Sequence, residues 1–215
     1  IYQCDWSSDV CSSDLAIDDN RVLTRGVALE LTVAATAGAP SWVTNNTLIS
    51  DLYAGHALRI LGLNNHVRIA HNSVSAYSGR ALFASAGAGS SDLWLVNNIL
   101  ASRFSHPVDA PSGTAFTDVR HNLLRKSAST LATWNGATVT TMTALQSVSG
   151  MFANSFAGEA CYFDPASDLH CYSMEADGAA LPMPLFPMDM DGEARSTTTP
   201  DIGADEFQPQ LWSAT

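Results

Sequence analysis

The strongest constraint on the fold is an internal repeat of about two dozen residues. Four segments align without gaps: SWVTNNTL (41–48), VRIAHNSV (67–74), LWLVNNIL (93–100) and TDVRHNLL (117–124). Each holds an asparagine at the same position, and these four, Asn46, Asn72, Asn98 and Asn122, are spaced by 26, 26 and 24 residues. A fixed period of this length is typical of chains built from stacked, similar units.

Apolar periodicity predicts that these units are made of strands. Val43, Ile69, Leu95 and Val119 form one apolar column of the alignment, and Leu48, Val74, Leu100 and Leu124 form another. A second block, GVALEL (26–31), recurs as GHALRI (55–60) and GRALFA (79–84), and its apolar residues alternate with a period of two. Helical spacing over ten residues is absent. Each repeat should contain at least two short strands separated by turns.

Units this short cannot bury an apolar face alone, so successive units must stack. Strands stacked in register lie about 4.8 Å apart, and like residues then lie above like residues. The predicted fold is an all-β, parallel β-helix (solenoid), with valine, isoleucine and leucine columns inside. The asparagine column is predicted to occupy sharp turns with left-handed backbone, its amides hydrogen-bonded along the stack.

The recurring pattern apolar-x-[Asn/His]-Asn-x-apolar resembles the right-handed parallel β-helix of the pectate-lyase-like superfamily. The string DMDGEARSTTTPDIGADEF (189–207) resembles the ending of bacterial surface proteins described as choice-of-anchor Q. This resemblance implies an exported protein, located outside the cell or on its surface, whose residues 151–215 close the solenoid. The family is defined by its architecture, so the resemblance supplies no catalytic residue.

Residues 5–15, DWSSDVCSSDL, resemble a translated sequencing adapter. We therefore set residues 1–15 aside as an artefact that is expected to be disordered, and assign residues 16–150 to four or five coils. The expected natural protein begins upstream of Ala16, with further coils, a signal peptide and an anchor that this sequence does not contain.

Charge and hydropathy exclude two classes of partner. The net charge is −11, with 10 basic and 21 acidic residues, which is unsuited to tracking nucleic-acid phosphates. No run of 18 apolar residues exists, so no membrane span is expected. Residues 16–150 hold seven acids and nine bases, whereas residues 151–215 hold eleven acids and one base, Arg195. This change supports a boundary near Gly150.

The outward side chains of the repeat suggest a binding face. If Val43, Ile69 and Leu95 point inward, their neighbours point outward, because strand side chains alternate. The candidate substrate-binding residues are Trp42, Arg68, Trp94 and Asp118, with Arg120 in the next outward column. The tryptophans would stand two rungs, about 10 Å, apart, which approximates a disaccharide repeat. Indoles can stack on sugars and arginine can hold a uronate, so the expected partner is a polysaccharide. The alternative is that a loop covers the tryptophans.

Two further functions remain open at this stage. A polysaccharide lyase or hydrolase needs several carboxylates on one face, whereas Asp51, Asp92, Asp109 and Asp118 lie in different columns. Such a site would extend onto coils that precede Ala16, and its catalytic residues are unknown. A structural stalk or adhesin segment would bind no glycan.

The remaining candidate residues have structural alternatives. Asp189, Asp191, Asp201 and Asp205 could bind calcium, the one cofactor considered, or could form an acidic cap that blocks strand addition to a monomer. Cys161 and Cys171 flank the turn at Asp164 and could form a disulfide in an oxidising compartment, or remain buried thiols. His71 and His121 share a column with asparagines, which favours a hydrogen-bonding role in the turns. The other histidines show no ligand spacing.

Overall fold

The computed structural model describes residues 15–51, 55–126 and 129–207. Residues 1–14, which hold nearly all of the adapter-like segment, lie outside these ranges. We number the strands in chain order. Each coil contributes one strand to each of three sheets, so the repeat contains three strands where at least two were predicted.

Sheet A contains β1 (Ala16–Asp18), β4 (Ser41–Thr44), β7 (Val67–Ala70), β10 (Leu93–Val96) and β13 (Phe116–Arg120). Sheet B contains β2 (Arg21–Thr24), β5 (Thr47–Ser50), β8 (Ser73–Ala76), β11 (Ile99–Ser102), β14 (Leu123–Arg125) and β17 (Phe156–Ala157). Sheet C contains β3 (Leu29–Leu31), β6 (Leu58–Gly62), β9 (Leu82–Ala86), β12 (Val108–Ala110), β15 (Ala132–Trp134) and β16 (Ala137–Val139). All neighbouring strands are parallel except β15 and β16. The all-β, parallel solenoid is thereby confirmed, with four to five turns.

The predicted apolar columns form the core in the predicted register. Val43 pairs with Ile69, Ile69 with Leu95 and Leu95 with Val119, and the second column pairs likewise. All of these side chains are buried. After the last coil, the rings of Phe116, Trp134 and Phe152 pack together in series, with centroids 5.5 and 5.1 Å apart.

A helix packs beside this aromatic group. Helix α1 (Met142–Ser149) is the single α-helix in the described ranges. Its first turn is capped by Thr141, whose Oγ1 accepts a hydrogen bond from the amide of Ala144, and it ends at Gly150 in left-handed conformation (φ 68°). Leu145 is fully buried against the core, so α1 covers the apolar interior where the coils stop.

The asparagine column forms a buried ladder at the corner between sheets A and B. The Oδ1 atom of each asparagine accepts hydrogen bonds from the backbone N and the Nδ2 of the asparagine one coil earlier, at 2.9–3.1 Å. The ladder extends beyond the aligned segments to Asn20 at one end and to the Ser155 hydroxyl at the other. The predicted stacking of amides is confirmed.

The left-handed turn lies one residue earlier than predicted. The residues with positive φ are Asn45 (52°), His71 (53°), Asn97 (61°) and His121 (51°), not the ladder asparagines. The reason is that each ladder Nδ2 donates to the carbonyl two residues before it, for example Asn46 to Thr44, so the chain must reverse at the residue between them. Asparagine and histidine both tolerate this conformation better than most residues do. The predicted turn role of His71 and His121 is confirmed.

The second repeated block begins with a glycine because adjacent coils approach closely there. A Cβ atom on Gly79 would lie 1.7 Å from the carbonyl oxygen of Gly55, and one on Gly55 would lie 3.0 Å from that of Gly26. No side chain fits at 1.7 Å, so the backbone contact requires glycine at Gly79, and the 3.0 Å separation makes a side chain at Gly55 tightly packed.

The C-terminal segment, residues 158–207, lies along the side of the solenoid and covers sheet B. It contains a hairpin of β18 (Tyr162–Asp164) and β19 (Asp168–Cys171). Tyr162, Leu169 and Ile202 of this segment pack on Ile49 and Ile99, which point outward from sheet B. Every residue of β5, β8 and β11 is consequently buried. The outer faces of sheets A and C keep half-buried side chains that can contact other molecules.

Candidate functional site

The structure brings the predicted outward column together on sheet A. Trp42 pairs with Arg68, Arg68 with Trp94, and Trp94 with Asp118 on successive strands. Both indoles are half-buried and stand two rungs apart, which corresponds to about 10 Å. The placement on one face agrees with the sequence analysis, and the binding role of these residues stays a prediction.

Arg68 already has a carboxylate partner within the protein. Its Nη2 lies 2.5 Å from Oδ2 of Asp92, and its Nη1 donates to the Asp92 carbonyl oxygen. The guanidinium carbon also lies 4.0 Å from the ring centroid of Trp94, so the cation stacks on one indole face. Arg68 is only 6% exposed. A uronate could be held by this arginine only by displacing Asp92.

Asp92 is the centre of the cluster, and the sequence analysis did not assign it a role. Its Oδ1 accepts hydrogen bonds from Trp94 Nε1 (3.2 Å) and Thr117 Oγ1 (2.9 Å), and His66 Nδ1 lies 2.6 Å from its Oδ2. Partial burial opposes ionisation, but the hydrogen bonds from Arg68, His66 and Thr117 hold the pKa of Asp92 well below its usual range.

The signal that could have found Asp92 is its spacing from His66. The two residues are 26 positions apart, each immediately precedes a sheet A strand, and each has positive φ (56° and 54°). They occupy a second left-handed corner, between sheets C and A, which the aligned segments do not reach.

The two ends of the column differ in accessibility. Phe186 of the C-terminal segment packs edge-on against Trp42, with ring centroids 4.9 Å apart, so the alternative of a covered tryptophan holds in part for Trp42. At the other end, Asp118 pairs with Arg120 at 3.0 Å, and the Arg120 side chain keeps 40% of its surface exposed. Of the two candidate arginines on this face, Arg120 is therefore the more exposed to solvent.

The four predicted calcium ligands do not form one set. Both Asp189 oxygens accept backbone N–H groups, from Asp191 and Glu193 on one side and Glu206 on the other. Both Asp201 oxygens do the same, from Gly178 and Phe207. Burial raises the pKa of Asp201 to about 7, against the effect of these hydrogen bonds. Two of the four carboxylates thus serve to hold loops together, and calcium binding stays a prediction.

The other two, Asp191 and Asp205, lie beside a histidine that sequence reasoning discounted. His170 Nε2 is 2.8 Å from Asp191 Oδ2, and potential ligand atoms of His170, Asp191 and Asp205 all lie within 4.8 Å of one another. These residues are separated by 21 and 14 positions in segments with no repeat, so neither spacing nor periodicity could indicate their meeting.

Cys161 and Cys171 are free thiols in this structure, and their disulfide stays a prediction. The hairpin register pairs Cys171 with Tyr162, so Cys161 is displaced by one residue from the position that faces it. The Cys171 Sγ instead lies 3.0 Å from the Ala160 carbonyl oxygen, and burial raises the pKa of this thiol to about 12. The alternative of two thiols describes the pair.

A scan against protein-family models finds no match, and searches of curated proteins and of solved structures find no similar protein. The pectate-lyase-like and choice-of-anchor Q resemblances therefore remain predictions beyond the β-helix fold itself. Across the described ranges, no helix has both the length and the hydropathy needed to cross a membrane.

Proposed function

We propose that this chain belongs to an exported bacterial surface protein that contacts polysaccharide through the outer face of sheet A. The observation that carries the proposal is the alignment of Trp42 and Trp94, half-buried and two rungs apart in register on one parallel sheet. Aromatic rings offer rigid apolar area to the C–H faces of sugars, and this spacing suits two units of an extended glycan. Export and surface placement rest on the resemblance of residues 189–207.

The contacts of the site define how recognition would work. Arg68 and Asp92 form an ion pair with each other. The pair holds the Trp94 indole from one side, because Arg68 stacks on the ring and Asp92 accepts a hydrogen bond from its Nε1. The sugar would stack on the remaining surface of Trp94. Arg120, which is partly exposed beside Asp118, would supply the charge that distinguishes a uronic-acid glycan from a neutral one.

A structural stalk is the second candidate function, and two observations favour it. The Arg68 guanidinium and the Phe186 ring occupy surfaces of Trp94 and Trp42 that a glycan could otherwise use. If these contacts serve packing alone, sheet A has no free platform and the tryptophans contribute only to stability.

Titration with polysaccharides separates the two functions. Purified protein is titrated with neutral and with uronic-acid polysaccharides, with and without calcium, and binding is followed by tryptophan fluorescence and by calorimetry. We expect saturable binding that Trp94→Ala weakens at least about tenfold, the loss of one aromatic contact worth about 1.4 kcal/mol. Arg120→Gln should weaken binding of the uronic-acid glycan alone.

The matched control is Phe83→Ala, which removes an outward aromatic ring from sheet C. Binding should be unchanged in this variant. A flat response to every glycan, or an equal loss in Trp94→Ala and Phe83→Ala, would reject the sheet A platform and leave the stalk as the better description.

A further inference from the structure

We infer that the C-terminal segment contains a binding site for a divalent transition metal, with zinc as the best-fitting ion, formed by His170, Asp191 and Asp205. This site is separate from the sheet A face and does not depend on glycan binding. It shares Asp191 and Asp205 with the calcium site considered from the sequence, but it includes His170, leaves out Asp189 and Asp201, and binds a different ion.

The three side chains offer a suitable set of ligand atoms. His170 Nε2, a carboxylate oxygen of Asp191 and one of Asp205 lie within 4.8 Å of one another. One ion could contact all three by replacing the hydrogen bond that now joins His170 Nε2 to Asp191 Oδ2 at 2.8 Å. Asp205 is anchored, because its Oδ2 accepts the backbone N–H of Cys171 at 2.8 Å. That bond comes from the residue next to His170, so the hairpin fixes two of the three ligands together.

The other ring nitrogen of His170 is held as in many metal sites. Its Nδ1 hydrogen-bonds to Oδ1 of Asp168, a carboxylate that is not among the three ligands. A carboxylate bound to the far nitrogen of a histidine orients the ring and makes the near nitrogen a stronger ligand. Asp168 therefore has the position of a supporting residue.

A buried hydroxyl without a partner belongs to a residue that lines the cleft beside these ligands. A cleft of about 70 Å³ is lined by two of the three ligands, His170 and Asp191, and by Asp168, Asp19 and Thr47. The third ligand, Asp205, is buried behind them. Thr47 is 4% exposed, and its Oγ1 has no hydrogen-bond partner. Buried polar atoms are nearly always satisfied, so this hydroxyl calls for a ligand or a metal-bound water in the cleft. Three protein ligands would leave a coordination position for such a water.

The chemistry of the ligands selects the ion. Calcium prefers six to eight oxygen ligands, whereas imidazole nitrogen is a common ligand of zinc and its neighbours. One histidine and two carboxylates match zinc better than calcium. Arg21 also lines the cleft, and its Nη2 donates a hydrogen bond to the Ser167 carbonyl oxygen.

The test is metal uptake by the full chain after treatment with a chelator. We expect one Zn²⁺ to bind with saturable affinity and to raise the melting temperature, while Ca²⁺ does neither. His170→Gln and the more exposed Asp191→Asn should each lose this ion. Asp168→Asn should weaken binding by about 10- to 100-fold without abolishing it. His106→Gln, which alters a histidine beside Asp109 on sheet C, is the matched control and should bind normally.

Cobalt distinguishes this site from one made by the cysteines. Co²⁺ held by His170 and carboxylates gives visible d–d absorption without a sulfur-to-metal charge-transfer band, whereas binding at Cys161 and Cys171 gives that band. The inference would be overturned by no saturable uptake of Zn²⁺, by uptake in His170→Gln or Asp191→Asn equal to that of the unsubstituted chain, or by a charge-transfer band. Circular dichroism of each variant verifies that the fold is retained.

Discussion

His71 gives a prediction whose size can be worked out from its surroundings. The side chain is fully buried at the corner of the third coil, and its Nε2 accepts a hydrogen bond from Asn97 Nδ2 at 2.9 Å. Burial, with a smaller effect from the nearby Arg195 cation, lowers the pKa of His71 to about 3. Asparagine occupies the same left-handed corner at Asn45 and Asn97, so His71→Asn removes the titrating group and suits the backbone.

The sign and magnitude follow from the difference between folded and unfolded states. An unfolded histidine has a pKa of about 6.5, so below that pH the unfolded chain binds a proton that folded His71 does not. Stability conferred by neutral His71 is therefore present above about pH 6.5 and is lost as the pH falls. At pH 5, protonation of His71 in the unfolded chain lowers the free energy of unfolding by about 2 kcal/mol, whereas at pH 7.5 it lowers it by almost nothing.

The assay is urea unfolding of the unsubstituted chain and of His71→Asn at pH 7.5 and pH 5. The free energy of unfolding of the variant, relative to the unsubstituted chain, should rise by about 2 kcal/mol on acidification. The variant must be compared with the unsubstituted chain because Asp201 is present in both. Its pKa is raised to about 7, so acidification raises the free energy of unfolding through Asp201 in each protein, opposite to the effect of His71. Val74→Ala, a core truncation in the same coil, should give the same stability loss at both pH values. An unchanged difference for His71→Asn would refute the reasoning.

Two other variants test the stack itself. Asn98→Ala should lower the free energy of unfolding by about 3–5 kcal/mol in denaturant titrations, because it removes the buried hydrogen bonds that Asn98 accepts from the N and Nδ2 of Asn72 and donates to the carbonyls of Ile69 and Val96. Asn20→Ala, at the partly exposed end of the ladder, should cost about 1 kcal/mol, and equal losses would contradict a buried ladder. Gly79→Ala should prevent folding or shift the melting temperature strongly, since its Cβ would overlap the Gly55 carbonyl. Gly38→Ala, with open space around it, should change the melting temperature little.

The repeat could be predicted because its structural units contact their sequence equivalents. Apolar columns aligned without gaps became Cα partners, since neighbouring strands differ by one period of the sequence. The second repeated block, GVALEL and its equivalents, contains the residues that form the third strand of each coil. The ends of the ladder were missed because Asn20 and Ser155 lie outside the four best-aligned segments, and Ser155 replaces the amide by a hydroxyl.

The site was harder to predict because its decisive contacts are not periodic. The sheet A column followed from strand alternation, but the engagement of Arg68 depends on Asp92 at a corner that precedes the strand. Phe186 and Asp191 belong to a segment without repeats, which meets the coils through contacts of long sequence separation. Such contacts leave no local pattern in the sequence.

The path of the C-terminal segment has consequences for how the chain folds. In order along this segment, Ala179 accepts a hydrogen bond from His121, Leu181 exchanges two with Asn97, and Arg195 donates to Asn45, 150 residues away. The segment thus runs back along the corner column, from the fifth coil to the second.

A solenoid whose units touch only their neighbours can gain or lose units one at a time. Here residues 158–207, which are synthesised after the coils, bind the early coils, so the coils and the segment should melt as one cooperative unit. Until residues 158–207 emerge, Ile49 and Ile99 of sheet B have no cover. Nascent chains of this protein should therefore pass through a stage that is prone to aggregation, and its completion depends on contacts of high sequence separation.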